Sequence, residues 1–302
     1  MRPTAASAPH RRIRTALAAA VAALALGVLS GCATGGGAPA GPLTDAEREA
    51  ALQEGIAGLD GVASVDIGGM EPRDENPRYT TVDIDPDAAP KTVLATSDAI
   101  ALLADDLDWE DPITMRADPP AGAVASADPW WSLEVHPAAD VAVTRGALAG
   151  LLAATEVEGV VGLSFVDGWP YAALLEPDRV AERFEELRST PLFERGGTFT
   201  LRAEQPWLKF TYVEGVTSTN LIDELAALSE EYPHSELLLE GPGAPRLFVA
   251  RVTTAEADAI AERLADPSLV AGTEAGAGAI PWQITTADPA GPGYREGEVG
   301  GG

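Results

Sequence analysis

The chain has 302 residues, enough for two or three small domains rather than one. Its 46% hydrophobic and 22% charged content excludes disorder throughout, and a formal charge of −27 argues against binding nucleic-acid phosphates or docking on anionic lipid headgroups. A single cysteine excludes an intrachain disulfide and a cysteine-rich zinc site.

The amino terminus carries Arg2, Arg11, Arg12 and Arg14 with no acid, followed by an apolar stretch from Ala16 to Leu29. That stretch is short of the roughly 20 residues a membrane-spanning helix needs, so it reads as the apolar region of a signal peptide. The Arg11-Arg12 pair lacks the flanking residues of a twin-arginine signal. Leu29-Ser30-Gly31-Cys32 resembles the lipobox of bacterial lipoproteins. The resemblance covers residues 1 to about 42 and implies cleavage before Cys32, lipidation of its thiol and attachment to the extracytoplasmic face of the cell membrane. Residues 1–31 are then the signal peptide and 32–43, rich in Gly, Ala and Pro, a flexible tether. No later window of 18 apolar residues is free of charge.

Helix and strand signals alternate beyond the tether. Thr44 and Glu47 form a capping-box pattern ahead of Leu52, Ile56 and Leu59, which predicts a helix over 45–57 ended by Gly58. Val62–Ile67 and the alternation around Val82 and Ile84 predict strands. A second helical stripe runs through Val93, Ile100, Leu103 and Leu107, and Ile113 with Met115 marks a further strand. Trp131, Leu133 and Val135 alternate with polar residues. Leu148, Leu151 and Leu152 follow Thr144 as a third helix, and 160–166 and 171–175 flank a hairpin turn at Asp167-Gly168-Trp169-Pro170. Val180, Phe184 and Leu187 behind Pro177 form a fourth helix, followed by strands at 199–203 and 207–213. Leu221, Leu225 and Leu228 form a fifth. Strands at 236–240 and 247–252 flank Gly241-Pro242-Gly243; Thr253 with Glu256 caps a sixth helix that Asp266-Pro267 stops, and a strand at 280–284 completes the set.

This order matches an α+β fold of tandem split βαβ units and resembles ferredoxin-like sandwiches, in which helices cover one face of antiparallel sheets. The expected organisation is an α+β domain lacking its first strand over 44–118, a linker over 119–129, ferredoxin-like domains over 130–204 and 205–286, and a disordered tail over 287–302.

Motifs that carry chemistry are sparse. Asp83, Asp85 and Asp87 begin like a calcium loop, but Ala88 stands where Gly is needed and Leu94 where Glu is needed, so a solvent-facing strand and turn explain them. His136 and His234 belong to no zinc-ligand spacing, and no Gly-x-Ser-x-Gly elbow would expose Ser132 or Ser235 as a nucleophile. Gly35-Gly36-Gly37 and Gly272 to Gly278 lack the Lys and helix start of a phosphate loop, and Glu185-Glu186 and Glu230-Glu231 read as solvated helix faces. Trp130, Trp131, Trp169 and Trp207 are the candidate contact residues for a partner on an open sheet face, with at most one of Trp130 and Trp131 turned into the core of that sheet.

These features predict a lipid-anchored binding or assembly module of the cell envelope. Its contacts would be the membrane, through the Cys32 lipid, and an envelope protein or glycan. No nucleic acid, cofactor, metal or catalytic residue is expected. The competing expectation is an envelope hydrolase or transferase whose site assembles from distant residues. An importer's solute receptor would need two alternating lobes, which the paired strands do not suggest.

Overall fold

A computed structural model describes residues 42–68, 79–120, 130–137, 139–175, 179–201, 207–274, 278–287 and 293–301. Cys32, the expected signal peptide and the first ten residues of the tether lie outside these, as do Pro177 and residues 121–129 of the 119–129 link. In chain order the elements are α1 (Asp45–Ala57), β1 (Val62–Gly68), β2 (Tyr79–Ile84), α2 (Pro90–Asp106), β3 (Ile113–Ala117) and β4 (Trp131–Val135). They continue with α3 (Val141–Ala154), β5 (Val160–Val166), β6 (Trp169–Leu174), α4 (Val180–Arg188), β7 (Gly196–Leu201) and β8 (Trp207–Val213). The last are α5 (Thr219–Glu231), β9 (Glu236–Glu240), β10 (Arg246–Val252), α6 (Thr254–Leu264), β11 (Pro281–Thr286) and β12 (Tyr294–Glu298).

Local chemistry sets the helix starts. At α1 the Thr44 hydroxyl accepts from the Glu47 N–H while the Glu47 carboxylate accepts from the Thr44 N–H, as the capping-box spacing predicts. Thr253 and Glu256 repeat the arrangement at α6. Helix α3 begins ahead of Thr144, because the Asp140 carboxylate accepts from the Ala142 N–H and Thr144 is buried one turn inside. The backbone hydrogen bond from Thr253 is the main reason the Glu256 carboxyl titrates below the ordinary glutamate range, despite the opposing effect of burial. A lowered folded-state value contributes stability that is present above the unfolded value and lost as pH falls through the folded one. Thr253→Ala removes the hydroxyl bonds but keeps the backbone N–H that chiefly lowers Glu256, so it is expected to cost about 1 kcal/mol with little change between neutral pH and acid, as measured by urea unfolding across that range.

The twelve strands lie in one sheet in strict sequence order, β1 to β12. Antiparallel pairs (β1/β2, β3/β4, β5/β6, β7/β8, β9/β10, β11/β12) alternate with parallel pairs bridged by a helix (β2/β3, β4/β5, β6/β7, β8/β9, β10/β11). The fold is therefore mixed α and β, as expected, but its βαβ units are not split. Strands joined by a helix are immediate neighbours and pair in parallel, so the sheet is not the antiparallel one of a ferredoxin-like sandwich.

The expected domain boundaries fall inside this sheet. β3 pairs with β4 across the 119–129 link, with Met115 opposite Leu133, and β7 pairs with β8 across the 204–205 boundary, with Phe199 opposite Phe210. Thr44–Gly302 is accordingly one compact unit. The tail expected to be disordered supplies β12, which pairs antiparallel with β11. Its polar composition hid this: Gly297 lets the Trp282 ring lie directly against the strand, where an added Cβ would come within 2.4 Å of that ring.

Apolar residues of successive strands form continuous rows on one face: Val82, Met115 and Leu133 in one, and Ala172, Phe199, Phe210, Leu239, Leu247 and Trp282 in another. The helices lie over these rows and are linked by ion pairs from Arg145 on α3 to Asp98 on α2 and from Arg263 on α6 to Glu224 and Glu231 on α5. Every crossover steps the same way along the sheet, yet successive crossovers start from strands of opposite direction. Helices on a single face therefore require the hand of the crossovers to alternate, against the usual right-handed preference. Burial of the one apolar face overrides that preference.

Candidate functional site

The uncovered face is built by the alternate residues of the same strands. Its central row runs Arg116, Ser132, Ser164, Tyr171, Thr198 and Thr211, each opposite the next across β3 to β8. Trp169, two residues from Tyr171 on the same side of β6, donates from its indole Nε1 to the Thr198 hydroxyl at 3.0 Å, and Thr198 shares a hydrogen bond with Thr211 at 3.0 Å. This buried hydroxyl pair gives the half-buried indole a fixed hydrogen-bond partner. Tyr171 is 40% exposed beside it and Trp207, at the far end of β8, is 39% exposed.

The four tryptophans thus divide. Trp169 and Trp207 lie on the open face; Trp169 is the first residue of β6 rather than part of the turn. Trp131 is only 4% exposed and belongs to the core, and Trp130 is partly buried against that core. Tyr171, which strand alternation alone could have placed beside Trp169, was not among the candidates.

Charges on this face pair across strands. Arg116 donates to Asp83 at 2.6 Å, and Lys209 and Arg251 reach Glu240 and Glu236 at 2.9 and 2.5 Å. Partial burial pushes the Asp83 carboxyl up, but the hydrogen bonds from Arg116 and Ser64 outweigh it and hold the group below the ordinary range. Asp85 accepts from the Asp87 N–H in a local turn. The three aspartates are thus engaged as strand and turn residues.

At one end of the face, His136 Nε2 lies 3.2 Å from Glu134 Oε1. Asp167 joins them, with one potential ligand atom from each residue within 4.8 Å of the others. Glu134 and His136 are two residues apart along the extended end of β4. Asp167 comes from the two-residue turn between β5 and β6, in which Asp167 and Gly168 have φ of 52° and 78°. Positive φ at both turn positions is the hairpin geometry that an Asp-Gly pair favours. The Glu-x-His spacing was visible in the sequence, but the 31-residue gap to Asp167 closes only through the parallel β4/β5 pairing. His234 lies elsewhere, 3.2 Å from the capping Glu256.

On the helical side a cleft of about 710 Å³ is lined by Asn220, Asp223, Glu224, Arg263, Asp266 and Leu269, among others. Burial, with the charge of Glu185 adding to it, raises the Asp223 carboxyl. Asp266 is lowered, chiefly by the backbone N–H of Ser268, which it caps. Arg263 is already shared between Glu224 and Glu231 at 2.5 Å each. Ser132 sits in the open-face row and Ser235 is buried at the start of β9, so the structure brings neither to a histidine as a nucleophile pair. Among the described residues, no helix is long and apolar enough to cross a membrane. No family model matches the chain, and no curated protein or solved structure shows significant similarity to it.

Proposed function

We propose that the chain is a lipid-anchored protein of the extracytoplasmic face of the cell membrane, and that the uncovered side of its sheet is a binding or assembly surface for an envelope protein or glycan. The observation that carries this reading is the one-sided architecture. Among the described residues the helices cover one face, while the other presents Trp169, Tyr171 and Trp207 among paired charges. Aromatic rings with a polar tip contribute large contact area, and the Trp169 indole is already held by its bond to Thr198. The anchor rests on Leu29-Ser30-Gly31-Cys32 and the apolar stretch before it.

Two linked measurements test the reading in the native envelope. Metabolic lipid labelling is expected to mark the full-length protein and to be lost, together with membrane attachment, in Cys32→Ala. A photo-crosslinking side chain at Tyr171 or Trp207 is expected to capture one defined envelope component, and the same group at Leu102 on the helical side is not. Leu102 is 52% exposed, so unequal capture would reflect the face and not accessibility. Equal capture from both faces would refute the binding surface, and lipid label retained in Cys32→Ala would refute the anchor.

A second reading, an envelope hydrolase or transferase, has one observation in its favour: the carboxylates of Asp223, Glu224 and Asp266 line one cleft on the helical side. Hydrolysis of envelope esters or glycans that disappears in Asp223→Asn and survives in Trp207→Ala would favour it over the binding surface.

A further inference from the structure

We infer that Glu134, His136 and Asp167 form a three-donor binding site for a divalent transition-metal ion of the zinc type. The inference stands apart from the lipid anchor and from the identity of any partner. Three independent parts of the chain's geometry meet at this point. Extended backbone at the end of β4 turns Glu134 and His136 toward the same side, and their side chains already touch at 3.2 Å. The Asp-Gly turn between β5 and β6 holds Asp167 with φ of 52°, and parallel pairing of β4 with β5, Leu133 opposite Phe165, sets that turn beside the end of β4. The donor atoms consequently lie within 4.8 Å of one another before any ion is bound. A zinc ion with ligands at about 2.1 Å holds its donors roughly 3.5 Å apart, so closure needs about 1 Å of movement in side chains that are free to rotate.

Charge distinguishes this cluster from the paired carboxylates of the face. Asp83, Glu236 and Glu240 each have an arginine or lysine partner. Among the described residues Glu134 has no cationic partner other than His136, and Asp167 has none. Two carboxylates brought this close repel each other, and a divalent ion removes the repulsion by neutralising both. Imidazole nitrogen with two carboxylate oxygens suits zinc and its first-row neighbours, whereas calcium and magnesium prefer all-oxygen shells. Three protein donors leave at least one coordination position for water or for a group on a bound molecule. The turn that carries Asp167 also leads into Trp169, since Val166 pairs with Trp169 across it at the start of β6. A metal here would give the aromatic face a polar anchor point for a ligand carboxylate, hydroxyl or imidazole.

The test is calorimetric titration of ZnCl₂ into the chelator-stripped full-length protein in detergent, with Co²⁺ used in parallel as a spectroscopic reporter. One equivalent of Zn²⁺ is expected to bind, with Co²⁺ giving a visible ligand-field band that Zn²⁺ abolishes and Mg²⁺ does not. His136→Ala and Asp167→Asn are each expected to weaken Zn²⁺ binding by at least about tenfold, equivalent to about 1.4 kcal/mol. Asp83→Asn, on the same face, is expected to leave it unchanged. Asparagine tolerates the positive φ of position 167, so that variant removes the charge and keeps the turn. Zn²⁺ binding with the same affinity in His136→Ala, or only multiple weak equivalents that salt abolishes, would overturn the site, as would the absence of a Co²⁺ band.

Discussion

Phe184→Ala is expected to cost about 3–5 kcal/mol, the range for deleting a fully buried aromatic ring. Phe184 is 0% exposed and lies edge-on to Phe199, Phe210 and Tyr212 at ring-centroid distances of 5.2, 5.6 and 5.1 Å. Phe193 tilts against Phe199 at 5.2 Å, and Phe199 stacks on Phe210 at 5.1 Å. A single ring from α4 therefore ties the helical layer to β7 and β8. Its removal leaves a cavity whose walls are other rings, too stiff to collapse into it. Against a typical total of about 5–15 kcal/mol, the variant should sit near the edge of folding. The measurement is the shift of the urea midpoint at constant slope. A cost below about 1 kcal/mol would mean that the cluster repacks and is not the hub of this layer.

Gly196→Ala has the second largest expected effect, about 3 kcal/mol, combining backbone strain with overpacking. Gly196 opens β7 at φ +136°, a conformation that residues with a Cβ rarely adopt. An added Cβ would stand 2.4 Å from the Tyr212 carbonyl oxygen, 3.1 Å from the Trp169 ring and 3.2 Å from the Val213 Cα. The closest of these contacts is backbone, so no side-chain rotation relieves it. The substitution should both destabilise the fold and displace the indole, which makes it a probe of the open face: tryptophan emission and partner crosslinking at Tyr171 should change together. Gly168→Ala is the control. Gly168 also has positive φ, +78°, but an added Cβ meets nothing within 4 Å, so only the strain of about 1 kcal/mol is expected. Equal costs at the two positions would show that the contact with β8 is not what excludes a side chain at Gly196.

The helices were legible because their signals are local. Thr44 with Glu47 and Thr253 with Glu256 act within four residues, and the stripes through Leu221, Leu225 and Leu228 need only helical periodicity to be read. Strand alternation was equally local and assigned the buried side of β2, β3 and β4 correctly. β12 escaped because Tyr294–Glu298 is polar and contains Gly297, and its place depends on Trp282 lying against that glycine. Pairing choices were not legible either. A strand, helix and strand in succession fit both a split and an adjacent arrangement, and the difference is decided by which neighbours complete the shared apolar row.

The same division applies to function. Composition, the basic and apolar amino-terminal stretches and the Leu29-Ser30-Gly31-Cys32 tetrapeptide set the expectation of an anchored, acidic, extracytoplasmic protein, since such signals are read by processing enzymes as linear sequence. Tertiary structure alone decided that the twelve strands build one continuous sheet, that Trp131 is core while Trp169 and Trp207 are surface, and that Asp167 meets Glu134 and His136. The physical reason is range. Caps, periodicity and turn chemistry act over a few residues, whereas strand register couples positions some thirty residues apart through backbone hydrogen bonds that any sequence can make.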